Sequence, residues 1–503
     1  MNIKRAKQEI KDSIEAYLAK DEFGEYCIPA IRQRPLLLIG PPGIGKTQIM
    51  EQIAKECKIG LVAYTITHHT RQSAVGLPFI KEKIYDGQTF SVTEYTMSEI
   101  IASVYEKMEQ TGLKEGILFI DEINCVSETL APTMLQFLQC KTFGNQKVPK
   151  GWVIITAGNP PEYNKSVREF DVVTMDRIKR IDVGADFEVW KEYAYRQGIH
   201  AAVISYLELR RKNFYCIENT VDGKIFATAR GWEDLSQLIQ VYEKLGKTVD
   251  RDVVYQYIQH RMIAKDFANY LELYYKYKED YGVEDILRGV WNQITIRKIK
   301  AASLDEHLSI VGLLNGKLGE MFSECYFTDT FVTKLYEYMV EYREQFELIN
   351  IEGILKKAAE DLEALKKAEL LTKADAIIWK RVIAFLENAM QKVKKEMLSG
   401  EEAYEAVKEL FENEADNLEG LTEKTSNTLL NVFDFLEEAF GEGQEMVAFI
   451  TELNANYYSI WFIQENGSDQ YYRHNKGLLF DERQKMLVGQ MDEMENLLNR
   501  GIR

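Results

Sequence analysis

The sequence predicts an α/β core, a parallel sheet with helices on both faces, followed by an α-helical remainder. Three observations carry this reading. Apolar runs alternate with helix-period segments up to about residue 183, the pattern of a parallel sheet. All nine prolines lie at or before Pro161, and proline breaks helix interiors. Beyond that point, stretches such as "ILKKAAEDLEALKKAELL" and "AIIWKRVIAFLENAMQKVKKEM" repeat apolar residues at helical spacing.

The elements follow in chain order. Ile3, Ile10, Ile14 and Leu18 give residues 1–20 an apolar helical face. "RPLLLIG" reads as a buried strand entering a glycine-rich turn, and "TQIMEQIAKEC" as the helix after it. "GLVAYTIT" is a second strand. Asp86-Gly87, set between alternating segments, signals a hairpin. "GILFIDE" is a third strand ending on two carboxylates, "ETLAPTMLQFLQ" is helical, and "WVIITAGN" is a fourth strand. After about residue 184 the pattern turns helical. These changes predict an α/β subdomain over 1–183, an α-helical lid over 184–290, and a mainly helical region over 291–503. The last region reads as a partner-recognition or oligomerisation element.

Composition narrows the function classes. The chain has 503 residues, 46% hydrophobic and 28% charged, as in ordinary globular proteins. A net charge of −17 argues against broad binding to a phosphate backbone. The six cysteines show no CxxC spacing, so reduced thiols are expected, with neither a disulfide framework nor a zinc site. The N-terminus "MNIKRAKQEIKDSIEAYLAK" has no apolar signal core, and no run is long enough to span a membrane. A cytoplasmic location is expected.

"GPPGIGKT" spans Gly40, Pro41, Pro42, Gly43, Ile44, Gly45, Lys46 and Thr47 and matches the phosphate-loop pattern G-x-x-x-x-G-K-[ST]. Glycines let backbone N–H groups turn toward phosphate oxygens, and the following helix adds its positive end. Lys46 is expected to reach the β- and γ-phosphates of ATP, and Thr47 to hold Mg²⁺. Asp121 and Glu122 end the third strand. With the phosphate loop upstream they read as a Walker B pair: Asp121 holds Mg²⁺ through water and Glu122 polarises the attacking water. This combination predicts a P-loop NTPase core.

The fourth strand ends on Asn159, which a parallel sheet sets beside Asp121 and Glu122. Its amide is placed to orient the lytic water and sense the γ-phosphate. Arg177 follows a short expected helix, with Arg180 one helical turn further. Arg177 is expected to serve a neighbouring subunit's nucleotide in trans, and Arg180 is the second choice for that role. Two other features read more plainly. His68 and His69 have no third ligand nearby, which favours a loop at the nucleotide or subunit edge. Tyr270, Tyr274, Tyr277 and Tyr281 lie at helical spacing among acids and lysines, which favours packing over stacking on nucleic acid.

Together, "GPPGIGKT", "HHTRQSAVGLP", "FIDEIN", "AGNPPEYN", "MDRIKRI" and "TARGWEDLS" resemble the AAA+ ATPases, and among them the MoxR family. The resemblance covers roughly residues 25–290. It implies that Arg230 of "TARGW" reaches from the lid to the γ-phosphate. It also implies a homo-oligomeric ring, hexameric by family likeness, that hydrolyses ATP to remodel or mature a protein partner. Such ATPases commonly work with a von Willebrand A-domain protein. No D-x-S-x-S motif of that module occurs in this chain, so any such partner is separate. "FLQCKTFGN" lacks the family's usual acidic ending after the Walker B helix, and "HHTRQSAVGLP" is unusually polar. A nucleic-acid-translocating motor is disfavoured by the acidic balance. A slow nucleotide-gated scaffold is disfavoured by the joint presence of Glu122, Asn159 and Arg177.

Overall fold

The computed structural model describes residues 1–143, 146–163, 167, 170–221, 223–345 and 350–476. Gly144 and Asn145 of "FLQCKTFGN", Asn164 of "AGNPPEYN", the His68 side chain and residues 477–503 of the expected C-terminal region lie outside the described residues. The chain divides into two compact units. The first comprises Met1–Val189 with Gly353–Ile383, and the second the remainder.

The first unit opens with α1 (Ile3–Leu18), capped by the Asn2 side chain, which accepts from the Arg5 N–H at 2.9 Å. It continues through β1 (Leu36–Ile39), α2 (Lys46–Cys57), β2 (Gly60–Thr65) and α3 (Arg71–Val75). The hairpin β3 (Pro78–Tyr85) and β4 (Gln88–Tyr95) follows, turning on Asp86 and Gly87, both at positive φ. Next come α4 (Glu99–Thr111), β5 (Gly116–Asp121), α5 (Ala131–Cys140) and the two-residue pair β6 (Thr142–Phe143) and β7 (Gln146–Lys147). The unit's main sequence ends with β8 (Trp152–Gly158), α6 (Val172–Met175) and β9 (Lys179–Asp182).

Five strands form one parallel sheet in the order β2-β5-β8-β1-β9. Each of the four strands expected from the apolar runs is present, and β9 adds an edge. The sheet is buried on both faces because side chains alternate across each strand. Ile117, Phe119, Val153 and Ile155 join α1 and α2 in one core. Leu118, Ile120, Trp152 and Ile154 join α4 and α5 in the other. No solvent-facing side remains on β5 or β8 before Asp121, which explains their mainly apolar sequence; the one polar side chain inside β8, Thr156, is buried and donates to the Leu36 carbonyl at 3.0 Å.

The edge strand corrects one expectation. Arg180 does not follow Arg177 on a helix. The helix before Arg177 is the single turn α6, and Arg180 lies in β9, where Leu37 of β1 is its register partner. Within β9 only Ile181 is buried.

The second unit begins within α7 (Phe187–Arg196). It contains α8 (Ala201–Leu209), the hairpin β10 (Cys216–Thr220) and β11 (Gly223–Ala227), and α9 (Ala229–Lys244). Helices α10 (Arg251–Tyr257), α11 (Arg261–Asp280), α12 (Val283–Leu287) and α13 (Gln293–Lys300) follow. Two long helices dominate the rest, α14 (Leu304–Gln345) and α17 (Gly400–Phe440). Between them, α15 (Ile351–Lys367) and α16 (Lys373–Lys395) carry the chain into the first unit and back. There Lys55 donates to the Leu371 carbonyl at 3.0 Å, and Lys107 pairs with Glu369. Finally α18 (Gln444–Ala455) and α19 (Tyr457–Asn466) pack on α14. The helical character expected beyond the α/β core is borne out.

The tyrosine stripe on α11 is packing. Tyr274 is buried and Tyr270 donates to Ser205 Oγ at 2.9 Å. Tyr277 and Tyr281 both donate to Glu306, each at 3.0 Å. Burial, reinforced by that carboxylate, pushes both phenols up to about 12.

Candidate functional site

The site sits at the carboxyl ends of β1, β5 and β8, where an open parallel sheet leaves a crevice. The loop from Gly40 to Gly45 leaves β1 and opens α2. Gly43 and Gly45 have φ of 75° and 89°, left-handed values that disfavour a Cβ. Gly40 is required for a different reason. A Cβ there would lie 2.6 Å from the Val183 carbonyl.

Lys46, the first residue of α2, is only 8% exposed. Its ammonium donates to the Gly40 carbonyl at 2.8 Å, the Pro41 carbonyl at 2.9 Å and Asn159 Oδ1 at 3.0 Å. A buried cation is thus held by its own loop and by the end of β8. The Thr47 hydroxyl donates to Asp121 Oδ2 at 3.0 Å. Asp121 Oδ1 accepts the Glu122 N–H at 2.8 Å, which fixes the carboxylate's plane. Glu122 takes φ 56°, a left-handed turn that lifts it off the end of β5. Its Oε2 accepts the Thr67 hydroxyl at 2.9 Å.

Asn124 was not anticipated. It is 4% exposed, and its side-chain amide clasps the backbone of Asn159. Nδ2 donates to the Asn159 carbonyl at 2.8 Å, and Oδ1 accepts the Asn159 N–H at 3.3 Å. Gly158 is glycine for the same reason, since a Cβ there would meet Asn124 Oδ1 at 2.5 Å. The only sequence signal was an amide two residues past the acidic pair. Thr67 was likewise unforeseen. Cys125 lies beside the carboxylates, and burial, then Glu122 and Asp121, raise its thiol above the ordinary value.

These hydrogen bonds form two groups, Lys46 with Asn159 and Thr47 with Asp121 and Glu122, which meet at the adjacent residues Lys46 and Thr47. Arg177 is placed elsewhere on the same unit. It is exposed and donates to Gln139 of α5 at 2.8 Å. Arg180 pairs with Asp182, its neighbour along β9, at 2.8 Å. Arg230 belongs to the second unit, where it is exposed in the first turn of α9. The His69 and Tyr64 rings meet in a T-shaped arrangement, with centroids 5.0 Å apart.

The donor set fits a magnesium nucleotide. A hydroxyl and a carboxylate oxygen 3.0 Å apart form a hard oxygen pair of the kind Mg²⁺ uses with phosphates. The buried Lys46 ammonium lies directly behind the glycine loop.

No helix among the described residues is long and apolar enough to cross a membrane. Comparison with curated proteins gives no match. Residues 36–177, which contain every residue of both hydrogen-bonded groups, match the family model described as "ATPase family associated with various cellular activities (AAA)". The chain thus carries an AAA domain, and that domain supports ATP hydrolysis in general.

Proposed function

We propose that this chain is a MoxR-like ATPase that assembles into a ring and couples ATP hydrolysis to remodelling or maturation of a protein partner. The observation that carries the proposal is the pair of hydrogen-bonded groups, Lys46 with Asn159 and Thr47 with Asp121 and Glu122, set at the carboxyl ends of neighbouring strands. Residues Gly40 to Gly45 cradle the phosphates, and Lys46 pairs with the β- and γ-phosphates. Thr47 and Asp121 hold Mg²⁺, which when bound neutralises charge on the transferring phosphoryl group. Glu122 takes the proton of the attacking water, and Asn159 orients that water. Thr67 holds the Glu122 carboxylate at 2.9 Å, so a rotation about Glu122 is the simplest way to bring the base to bear.

Arg177 lies outside both groups within its own subunit, which agrees with a finger acting in trans. AAA proteins commonly form rings, and the ring supplies the neighbour. Arg230 is assigned to the same γ-phosphate from the lid. The hairpin of β3 and β4 supports a protein client, because Phe79, Ile80, Ile84, Tyr85 and Phe90 are all exposed on it. A separate von Willebrand A-domain protein is the partner class that the family likeness favours.

Mixing two inactive variants tests the reading. Arg177→Ala is expected to keep ATP affinity and lose turnover by about 10³-fold, the lower range for an arginine finger. Glu122→Gln is expected to lose about a hundredfold by forfeiting general-base help. In mixed oligomers a finger from the Glu122→Gln chain meets an intact Glu122 in the Arg177→Ala chain, and activity returns in part. Absence of rescue, together with turnover independent of protein concentration, would refute the trans role.

A further inference from the structure

The second unit holds a cluster that the nucleotide chemistry does not use. Cys216 and Glu218 are two residues apart on β10, so their side chains leave the same face. Beside β11, Phe226 N–H donates to the Gln259 carbonyl at 3.1 Å. This bond draws the chain before α11 alongside the hairpin and delivers His260, the residue capping α11. The Cys216 sulfur, a Glu218 oxygen and a His260 nitrogen all lie within 4.8 Å of one another.

We infer that Cys216, Glu218 and His260 form a binding site for a borderline transition-metal ion of the Zn²⁺ class, with one position left open to solvent. Three observations converge. The first is the donor set, since a thiolate, an imidazole and a carboxylate together select Zn²⁺-like ions over Mg²⁺.

The second is spacing. Bonds of about 2.0–2.3 Å at a tetrahedral centre set neighbouring donors roughly 3.4–3.6 Å apart. Cys216 Sγ to Glu218 Oε1 is 3.5 Å, and Glu218 Oε1 to His260 Nε2 is also 3.5 Å. A small closure of the sulfur toward the ring completes the triangle.

The third is His260 itself. It is only 6% exposed, and among the described residues its buried Nε2 makes no hydrogen bond, lying at ion-pair distance, 3.5 Å, from Glu218 Oε1. An orphaned buried nitrogen aimed at a carboxylate and a thiol is unfavourable unless something binds it. Metal at Nε2 puts the ring proton on Nδ1, which gives up the helix-cap bond from the Ile263 N–H. That bond is 3.4 Å long and therefore weak. Glu218 is exposed, so the fourth position faces solvent and takes water or an incoming ligand. The ion ties the β10–β11 hairpin to the start of α11.

Cobalt titration of the chelator-stripped full chain is the test. Co²⁺ at a site containing one cysteine gives a thiolate-to-metal charge-transfer band and intense tetrahedral visible bands. The wild type is expected to develop both at one equivalent and to lose them when Zn²⁺ is added, with excess Mg²⁺ present throughout. Cys216→Ser abolishes the charge-transfer band. Cys125→Ser, which removes the thiol beside Asp121 and Glu122, leaves it intact. Glu218→Gln keeps the hairpin's shape and weakens cobalt affinity at least tenfold, the minimum expected when even an outer-sphere partner is lost. His260→Ala acts the same way, and the two strand variants decide the matter if loss of the cap unfolds it. No band in the wild type, or a band that survives Cys216→Ser, overturns the site. It leaves a thiol bonded to Glu218 and a histidine–glutamate ion pair.

Discussion

Asn124→Ala separates positioning from packing at the proposed site. The substitution removes both bonds to the Asn159 backbone, one at 2.8 Å and one at 3.3 Å. Each group left unpaired in a partly buried setting is worth about 1–3 kcal/mol, and the longer bond lies at the low end. A stability loss of about 2–4 kcal/mol is therefore expected in chemical denaturation. The functional consequence is larger than that loss implies. Asn159 also accepts from Lys46, so freeing its backbone loosens a side chain that ties the end of β8 to the phosphate loop. A displacement of about 1 Å in a positioning group lowers turnover by as much as a hundredfold. Nucleotide affinity is expected to hold, because the loop glycines and Lys46 stay in place. Steady-state ATPase assays with nucleotide-binding titrations measure both quantities. A double-mutant cycle with Asn159→Ala is expected to be strongly non-additive, since both changes act on one group. Wild-type turnover by a destabilised but folded Asn124→Ala chain, or simple additivity, refutes the positioning role.

Three further outcomes are expected. Lys46→Ala abolishes ATP binding, because the buried cation facing the β- and γ-phosphates is lost; wild-type affinity in a nucleotide titration sinks the assignment. Lys191 is 1% exposed and bridges Glu208 at 2.7 Å and Glu452 at 2.9 Å, and burial already raises the Glu452 carboxyl. Lys191→Met strands Glu452 and lowers stability by about 3–5 kcal/mol, read from the denaturation midpoint, and adding Glu452→Gln recovers part of it. Burial alone lowers Lys141 from 10.5 to about 8. The unfolded chain then holds the extra proton between those values, so stability rises with pH across that window and is flat below it. Lys141→Met removes the penalty. It raises stability at neutral pH by at most about 3 kcal/mol and flattens the rise between pH 8 and 10.5, and a parallel pH profile refutes this.

What the sequence made legible follows from which forces act locally. The phosphate loop is legible because its backbone path requires glycine at set positions, and Gly43 and Gly45 do take positive φ. Strands β1, β5 and β8 are legible because burial on both faces leaves no room for polar alternation, and the edge strand β2 is legible from its apolar run Leu61-Val62-Ala63. By contrast β9 spells Lys-Arg-Ile-Asp and buries one residue. An edge strand with one neighbour needs little apolar surface, so its charges passed for the end of a helix. The return of residues 353–383 to the first unit was illegible for another reason. The helices on either side have ordinary amphipathic periods, and periodicity says which face is buried but not against what.

Asn124 shows the same limit inside the site. Its value arises from a partner 35 positions away, and no local pattern marks an amide that will clasp another residue's backbone. The pairing of Asn124 with Gly158 then gives the site its sequence logic. The strand that delivers Asn159 must end on a residue without a Cβ, because a methyl group at 158 would displace the amide that holds Asn159 in place. The glycine before Asn159 is thus fixed by Asn124 across the sheet, through contact rather than through its own backbone angle.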